Sequence, residues 1–178
     1  KSFIVALTDG HPFFLETIIS RVREIALAKF ESQVSRQTVC EALLRVLYES
    51  QGPLNQYFLK LISPWTGSNC RGSHLLILAE LARGKNKLKE IAAAVNRSQR
   101  EVTANIQELM AHELIVKTGV FYRFHNKLFK FWLREVCEKK ELSLLNSCAK
   151  AEDFLASVDR TIADYEEVSK ICSEDRVL

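Results

Sequence analysis

The sequence predicts a mainly α chain in three parts: a helical bundle, a three-helix domain closed by one β-hairpin, and a long C-terminal helix. Three observations predict it. Only six glycines and three prolines interrupt 178 residues, and between them apolar residues recur at helical spacing. One stretch, around Gly119, is β-branched and aromatic on both sides of a glycine. Toward the C-terminus, apolar residues repeat alternately four and three apart. A composition of 47% hydrophobic and 26% charged residues suits a globular chain that buries a core and excludes a disordered or collagen-like one.

Gly10 and Pro12 open the first helix, where Phe14, Ile18, Val22 and Ile25 make an apolar stripe on one face. Val39, Leu43, Val46 and Leu47 do the same for the second. Gly52 and Pro53 separate it from a third, Pro53–Ile62. Turn formers crowd residues 63–73, the best linker, with Trp65 placed to pin the parts it joins. Helices over residues 75–83, 88–95 and 98–112 follow. The last of these starts on Ser98 with Glu101 three residues on, a capping-box pattern.

Residues 114–124, centred on Gly119, read as a short hairpin. Asn126 caps a helix carrying Phe129, Trp132, Leu133 and Val136, whose aromatics read as core. Three helices and a hairpin in this order make a winged helix-turn-helix. Leu78, Leu81, Ile91, Val95, Val102, Ile106 and Leu109 share its core, and Ile115 with an aromatic of residues 121–124 closes it. Leu144, Cys148, Ala151, Leu155, Val158, Ile162 and Tyr165 then form a heptad seam. Its partner is either this chain or another. The expected parts are residues 1–66, 73–137 and 138–178.

Charge is unevenly spread. Net charge is +1 over residues 1–70, +7 over 71–140 and −5 over 141–178. The middle third suits a polyanion and the tail does not. Five scattered cysteines without a CxxC fit reduced thiols in a cytoplasmic chain. The four histidines lack metal-ligand spacing, so no metal is expected, and His112 and His125 read as ordinary surface residues. No apolar run approaches the roughly 18 residues of a membrane span, and no basic-then-apolar leader opens the chain. Lys1 at the start and Met110 as the single methionine point to an internal piece or a processed chain.

The segment Thr8-Asp9-Gly10-His11-Pro12-Phe13-Phe14-Leu15 resembles the Gly-x-Pro segment in the helical lid of archaeal-type ATPases of the STAND branch of AAA+ proteins. Ile77-Leu78-Ala79-Glu80-Leu81-Ala82-Arg83-Gly84, Lys89-Glu90-Ile91-Ala92 and residues 102–109 resemble the winged helix that follows that lid. Residues 122–132 resemble its tyrosine/arginine strand and phenylalanine-tryptophan helix. The resemblance covers roughly residues 3–135. It departs at Asn126, where an acidic residue is usual, and near Glu113, where a glycine is frequent.

The resemblance implies a lid-like bundle over residues 1–66. It also implies a P-loop ATPase domain in the parent protein, with ATP or ADP and magnesium bound there. Gly10 and Pro12 would contact that nucleotide; their structural alternative is simply a turn and a favourable first helical position. No GxxxxGK[ST] occurs in this chain, so no loop cradles a triphosphate, and no nucleophile, base or metal set converges. The chain is expected to be non-catalytic.

The third helix of the winged domain is the candidate for a DNA major groove. Gln99, Arg100, Thr103 and Gln107 face away from its apolar stripe, and Lys85, Lys87, Arg97, Lys117 and Arg123 surround it. That distribution suits phosphate contacts better than base reading, while Glu101, Glu108 and Glu113 oppose it. The leading expectation is therefore a DNA-contacting winged-helix region. The alternative is a regulatory module: the winged helix packs on an ATPase domain, and the helix over residues 144–165 binds a partner or makes a homodimer.

Overall fold

The computed structural model describes residues 3–66, 73–137 and 151–174, with side chains up to Ser169 in the last segment. It is mainly helical, with one two-stranded antiparallel hairpin. Two compact units emerge: Lys1–Gln56 with Ser143–Leu178, and Tyr57–Leu142.

The first unit contains α1 (Phe3–Thr8), α2 (Pro12–Ala28), α3 (Arg36–Leu43) and α9 (Ala151–Glu174), and α3 runs on into a wide π-helical turn, Leu44–Tyr48. Pro12 takes the first position of α2, where its missing N–H costs nothing. Phe14, Ile18, Val22 and Ile25 are all buried, as their spacing predicts. They meet α3 and its continuation, which contribute Leu43, Val46 and Leu47. Ser35 caps α3 by accepting from the Thr38 N–H at 3.1 Å. α1, two turns at the very start, has no counterpart in the sequence reading.

The C-terminal helix buries Val158 and Ile162 of the expected seam, with Phe154 in place of Ala151 and Leu155. Phe154, Val158 and Ile162 are buried on α3 and its continuation, while Ala151 is exposed and Leu155 half-buried. Arg36 fixes the helix with ion pairs to Asp159 (2.6 Å) and Glu166 (3.4 Å). The described part of the stripe thus has its partner inside the chain, and Leu144 and Cys148 lie outside the described residues.

The second unit holds α4 (Pro53–Ile62) from Tyr57 on, α5 (Ser73–Ala82), α6 (Leu88–Ala94), α7 (Gln99–Ala111), β1 (Ile115–Thr118), β2 (Phe121–Phe124) and α8 (Lys127–Trp132). Here α8 also continues as a π turn, Leu133–Cys137. Of the expected core, Leu78, Leu81, Ile91, Val102, Ile106 and Leu109 are buried, and Val95 is half-buried. Ile115, Tyr122 and Phe124 close the hairpin side. Phe58 meets the rings of Phe129 and Trp132, each at 5.4 Å between centroids. This contact groups residues 57–66 with the hairpin-bearing unit. The described C-terminal helix groups with the first unit.

Helix ends follow one device. After α1, α2, α5, α6 and α7 the chain turns left-handed, at Asp9 (followed by Gly10), Phe30, Gly84, Asn96 and Glu113. The N–H after each reaches the carbonyl five residues back, as in Leu114 to Leu109 at 3.0 Å. Glycine suits that position and glutamate does not. Glu113→Gly should therefore raise stability by about 0.5–1 kcal/mol, read as a higher urea midpoint at unchanged slope. A lower midpoint would count against the cap.

Candidate nucleic-acid interface

Local capping sets where α7 begins. Ser98 accepts from the Glu101 N–H at 3.2 Å, and the Glu101 carboxylate accepts from the Ser98 N–H at 3.1 Å, so the expected capping box is present. These bonds hold the Glu101 carboxyl below its ordinary pKa, with the Ser98 hydroxyl the largest cause and nearby Arg97 a lesser one. One Glu108 oxygen lies 2.8 Å from His74 Nε2, which makes no hydrogen bond among the described residues, and the Glu108 side chain is exposed. Of the acids that oppose a polyanion here, Glu101 is thus held in the cap, while Glu108 and Glu113 are exposed.

At about 100° per residue, Gln99, Arg100, Thr103 and Gln107 fall on one side of α7, and Glu101 and Glu108 on the other. Gln99, Arg100 and Gln107 are exposed; Thr103 is half-buried, its hydroxyl donating to the Gln99 carbonyl at 2.7 Å. The line opposite the core runs Arg100, Ala104, Gln107, Ala111, so two alanines missed by the sequence reading occupy the most outward face. Residue spacing carried that signal. Asn105 is turned aside, its amide donating to Ser73 Oγ at 2.5 Å.

The basic residues divide. Lys85 is committed: its ammonium sits 2.6 Å from Glu80, which also takes Arg83 at 2.5 Å. Lys87 lies over the Phe121 ring at 5.6 Å, and a bridge joins Lys87 to Phe121. The Tyr122 N–H donates to the Asn86 carbonyl at 2.8 Å. The α5–α6 loop is therefore stitched to β2, bringing Lys87 to the hairpin.

Strand register separates the other two. Lys117 stands opposite Tyr122 and Arg123 opposite Val116. Directly opposed residues share a face and neighbours alternate, so Lys117 and Arg123 leave opposite faces of the hairpin. Lys117 lies 5.8 Å over the Tyr122 ring. Arg97 is exposed at the turn before α7.

Trp65, Gly10 and Pro12 lie elsewhere. Trp65 stacks on His74 (5.5 Å) and meets His112 edge-on (5.0 Å), so its described partners are the ends of α5 and α7. Gly10 (φ +72°) and Pro12 sit in the α1–α2 turn of the first unit, both exposed. Among the described residues, no three His, Cys, Asp or Glu side chains converge as a metal site. No described helix is long and apolar enough to cross a membrane.

Glu80 and Glu135 are both buried in this unit, 8% and 5% exposed; Glu80 is the one beside the candidate interface. The Lys85 hydrogen bond, joined by Arg83, holds the Glu80 carboxyl below its ordinary value against the opposing effect of burial. A depressed folded pKa stabilises the fold above the unfolded pKa, and that stability is lost as pH falls through the folded value. Glu80→Gln should lower the urea midpoint at neutral pH, and the gap to the parent should close in acid. A gap independent of pH would refute the linkage.

No protein-family model, curated protein or solved structure matches the chain.

Proposed function

We propose that the Tyr57–Leu142 unit is a winged helix-turn-helix module that holds duplex DNA by its sugar–phosphate backbone. One observation supports this best. Arg100, Lys117 and Arg123 are exposed, and no carboxylate lies within ion-pair distance of them among the described residues. Cations left in solvent, with Glu101 held in the helix cap, favour a polyanion over a self-neutralised surface. Gln99 and Gln107 add polar groups on α7, where a helix in the major groove meets base edges.

By the resemblance described above, we further propose that the chain is the non-catalytic lid and winged-helix portion of an AAA+/STAND-like ATPase. ATP or ADP with magnesium would belong to a P-loop domain of the same parent, with Gly10 and Pro12 facing it. The reading frame before Lys1 tests this kinship: a P-loop there supports it, and a full-length gene product without one removes it.

The DNA reading is tested by titrating labelled duplex at 50 and 200 mM salt. Three or four neutralised phosphates give a log–log slope of about −3, so affinity should fall about 60-fold between the two. Arg123→Ala should flatten the slope by about 0.9. Salt-independent binding, or none at low salt, would overturn the proposal and favour the alternative of a module docking on an ATPase domain.

A further inference from the structure

The hairpin tip is built unlike the rest of the basic surface. β1 and β2 pair Thr118 with Phe121, leaving Gly119 and Val120 as a two-residue loop. Gly119 has φ +61° and Val120 is not left-handed, the pattern of a tight type II′ turn. Such a turn specifies its first loop residue, which must be glycine, and tolerates a polar second one. Here the second is Val120, 67% exposed, followed by Phe121, 44% exposed.

A tip of this kind would ordinarily be polar. Phe121 is also not loose: Lys87 lies over one side of its ring, and β2 is tied to the α5–α6 loop through Asn86. Arg123, two residues on, projects from the same face as Phe121. Lys87, which also has Glu90 at 3.9 Å, lies over the ring, and Arg123 shares its strand face; an apolar point beside such cations has the chemistry of a surface that grips a phosphate backbone next to a base.

We infer that Val120 and Phe121 form an apolar wedge that seats against unpaired or weakly stacked bases. The preferred partner of this unit is then a duplex interrupted by a fork, bulge or mismatch. This inference rests on the DNA-binding reading above and names the kind of DNA. Unstacking a fully paired step costs free energy, and the cost is least where a base is already unpaired. A wedge without a base-reading group therefore discriminates by the state of the duplex and not by its sequence. Phe121 supplies a ring on which any base can stack.

The experiment compares the full chain on two duplexes of equal length and phosphate number, one fully paired and one carrying a central unpaired base. Affinities are measured at two salt concentrations. The interrupted duplex should bind about tenfold more tightly, with the same salt slope, because the phosphates contacted are the same. Phe121→Ala should abolish that preference while leaving binding to the paired duplex and the slope unchanged. Val120→Ser, at a more exposed position, should reduce it without any change in circular dichroism.

Binding of both duplexes with equal affinity overturns the wedge and leaves backbone binding intact. Binding of neither overturns both. A Phe121→Ala chain that keeps the preference also overturns the wedge. So does one whose only change is loss of self-association in sedimentation, which would make the tip a protein contact.

Discussion

Trp132→Ala should cost about 4 kcal/mol, near the middle of the range for emptying a buried large aromatic site. Trp132 is 1% exposed. Its ring meets Phe58 at 5.4 Å and lies parallel to Phe129 at 6.1 Å. Phe129 in turn meets Phe124 of β2 edge-on at 5.7 Å. The four rings join α4, α8 and the hairpin, so the void cannot be filled by one side chain turning in. A chain of this size loses about 2–4 °C per kcal/mol, which puts the expected fall in melting temperature at about 8–16 °C. Trp132→Phe keeps a ring in the cluster and should cost less than half as much. A loss under about 1 kcal/mol for the alanine variant would show that this cluster does not hold the unit closed. The same variant bears on the interface, because β2 carries both Phe124 and Arg123: loosening the cluster frees the strand that presents the cation.

Much of this architecture is legible because it is local. Ser98 with Glu101, Asn126 with Phe129, and Pro53 at a helix start each act within one turn, and each stands where residue type alone places it. The hairpin is legible for the same reason, its two strands meeting across a two-residue loop that opens on Gly119. What escapes the sequence depends on distant surfaces. Phe154 and Leu155 are both apolar and adjacent, and the choice of which faces inward falls to the surface it meets, where Tyr48 receives Phe154 at 5.2 Å. The wide turns at Leu44–Tyr48 and Leu133–Cys137 carry no breaker and no cap. At the candidate interface, helical spacing separates Gln99, Arg100 and Gln107 from the core. Spacing says nothing of Lys85 being taken by Glu80, or of strand register sending Lys117 and Arg123 to opposite faces. Those depend on where one segment meets another.

Gly52→Ala should destabilise the first unit by about 3 kcal/mol, at the upper end for forcing atoms into a packed site. The chain leaves the wide turn at Glu49, reverses, and re-enters helix at Pro53. Gly52 is buried in that reversal, its N–H donating to the Glu49 carbonyl at 2.9 Å and its own carbonyl accepting from Gln56 at 2.9 Å. A Cβ here would stand 2.6 Å from the carbonyl oxygens of both Arg45 and Val46, and 2.9 Å from the Val46 carbonyl carbon. These are backbone atoms, so no rotamer change relieves the overlap and the turn itself must open. Gly10→Ala separates this cause from backbone strain. Gly10 has φ +72° with nothing within 4 Å of an added Cβ, so only the left-handed conformation is penalised, at about 1 kcal/mol. Urea midpoints of the two variants should differ by about that threefold ratio in free energy. Equal losses would mean that the Gly52 reversal yields easily. The close approach of the chain to Arg45 and Val46 would then be incidental to how the first unit is held.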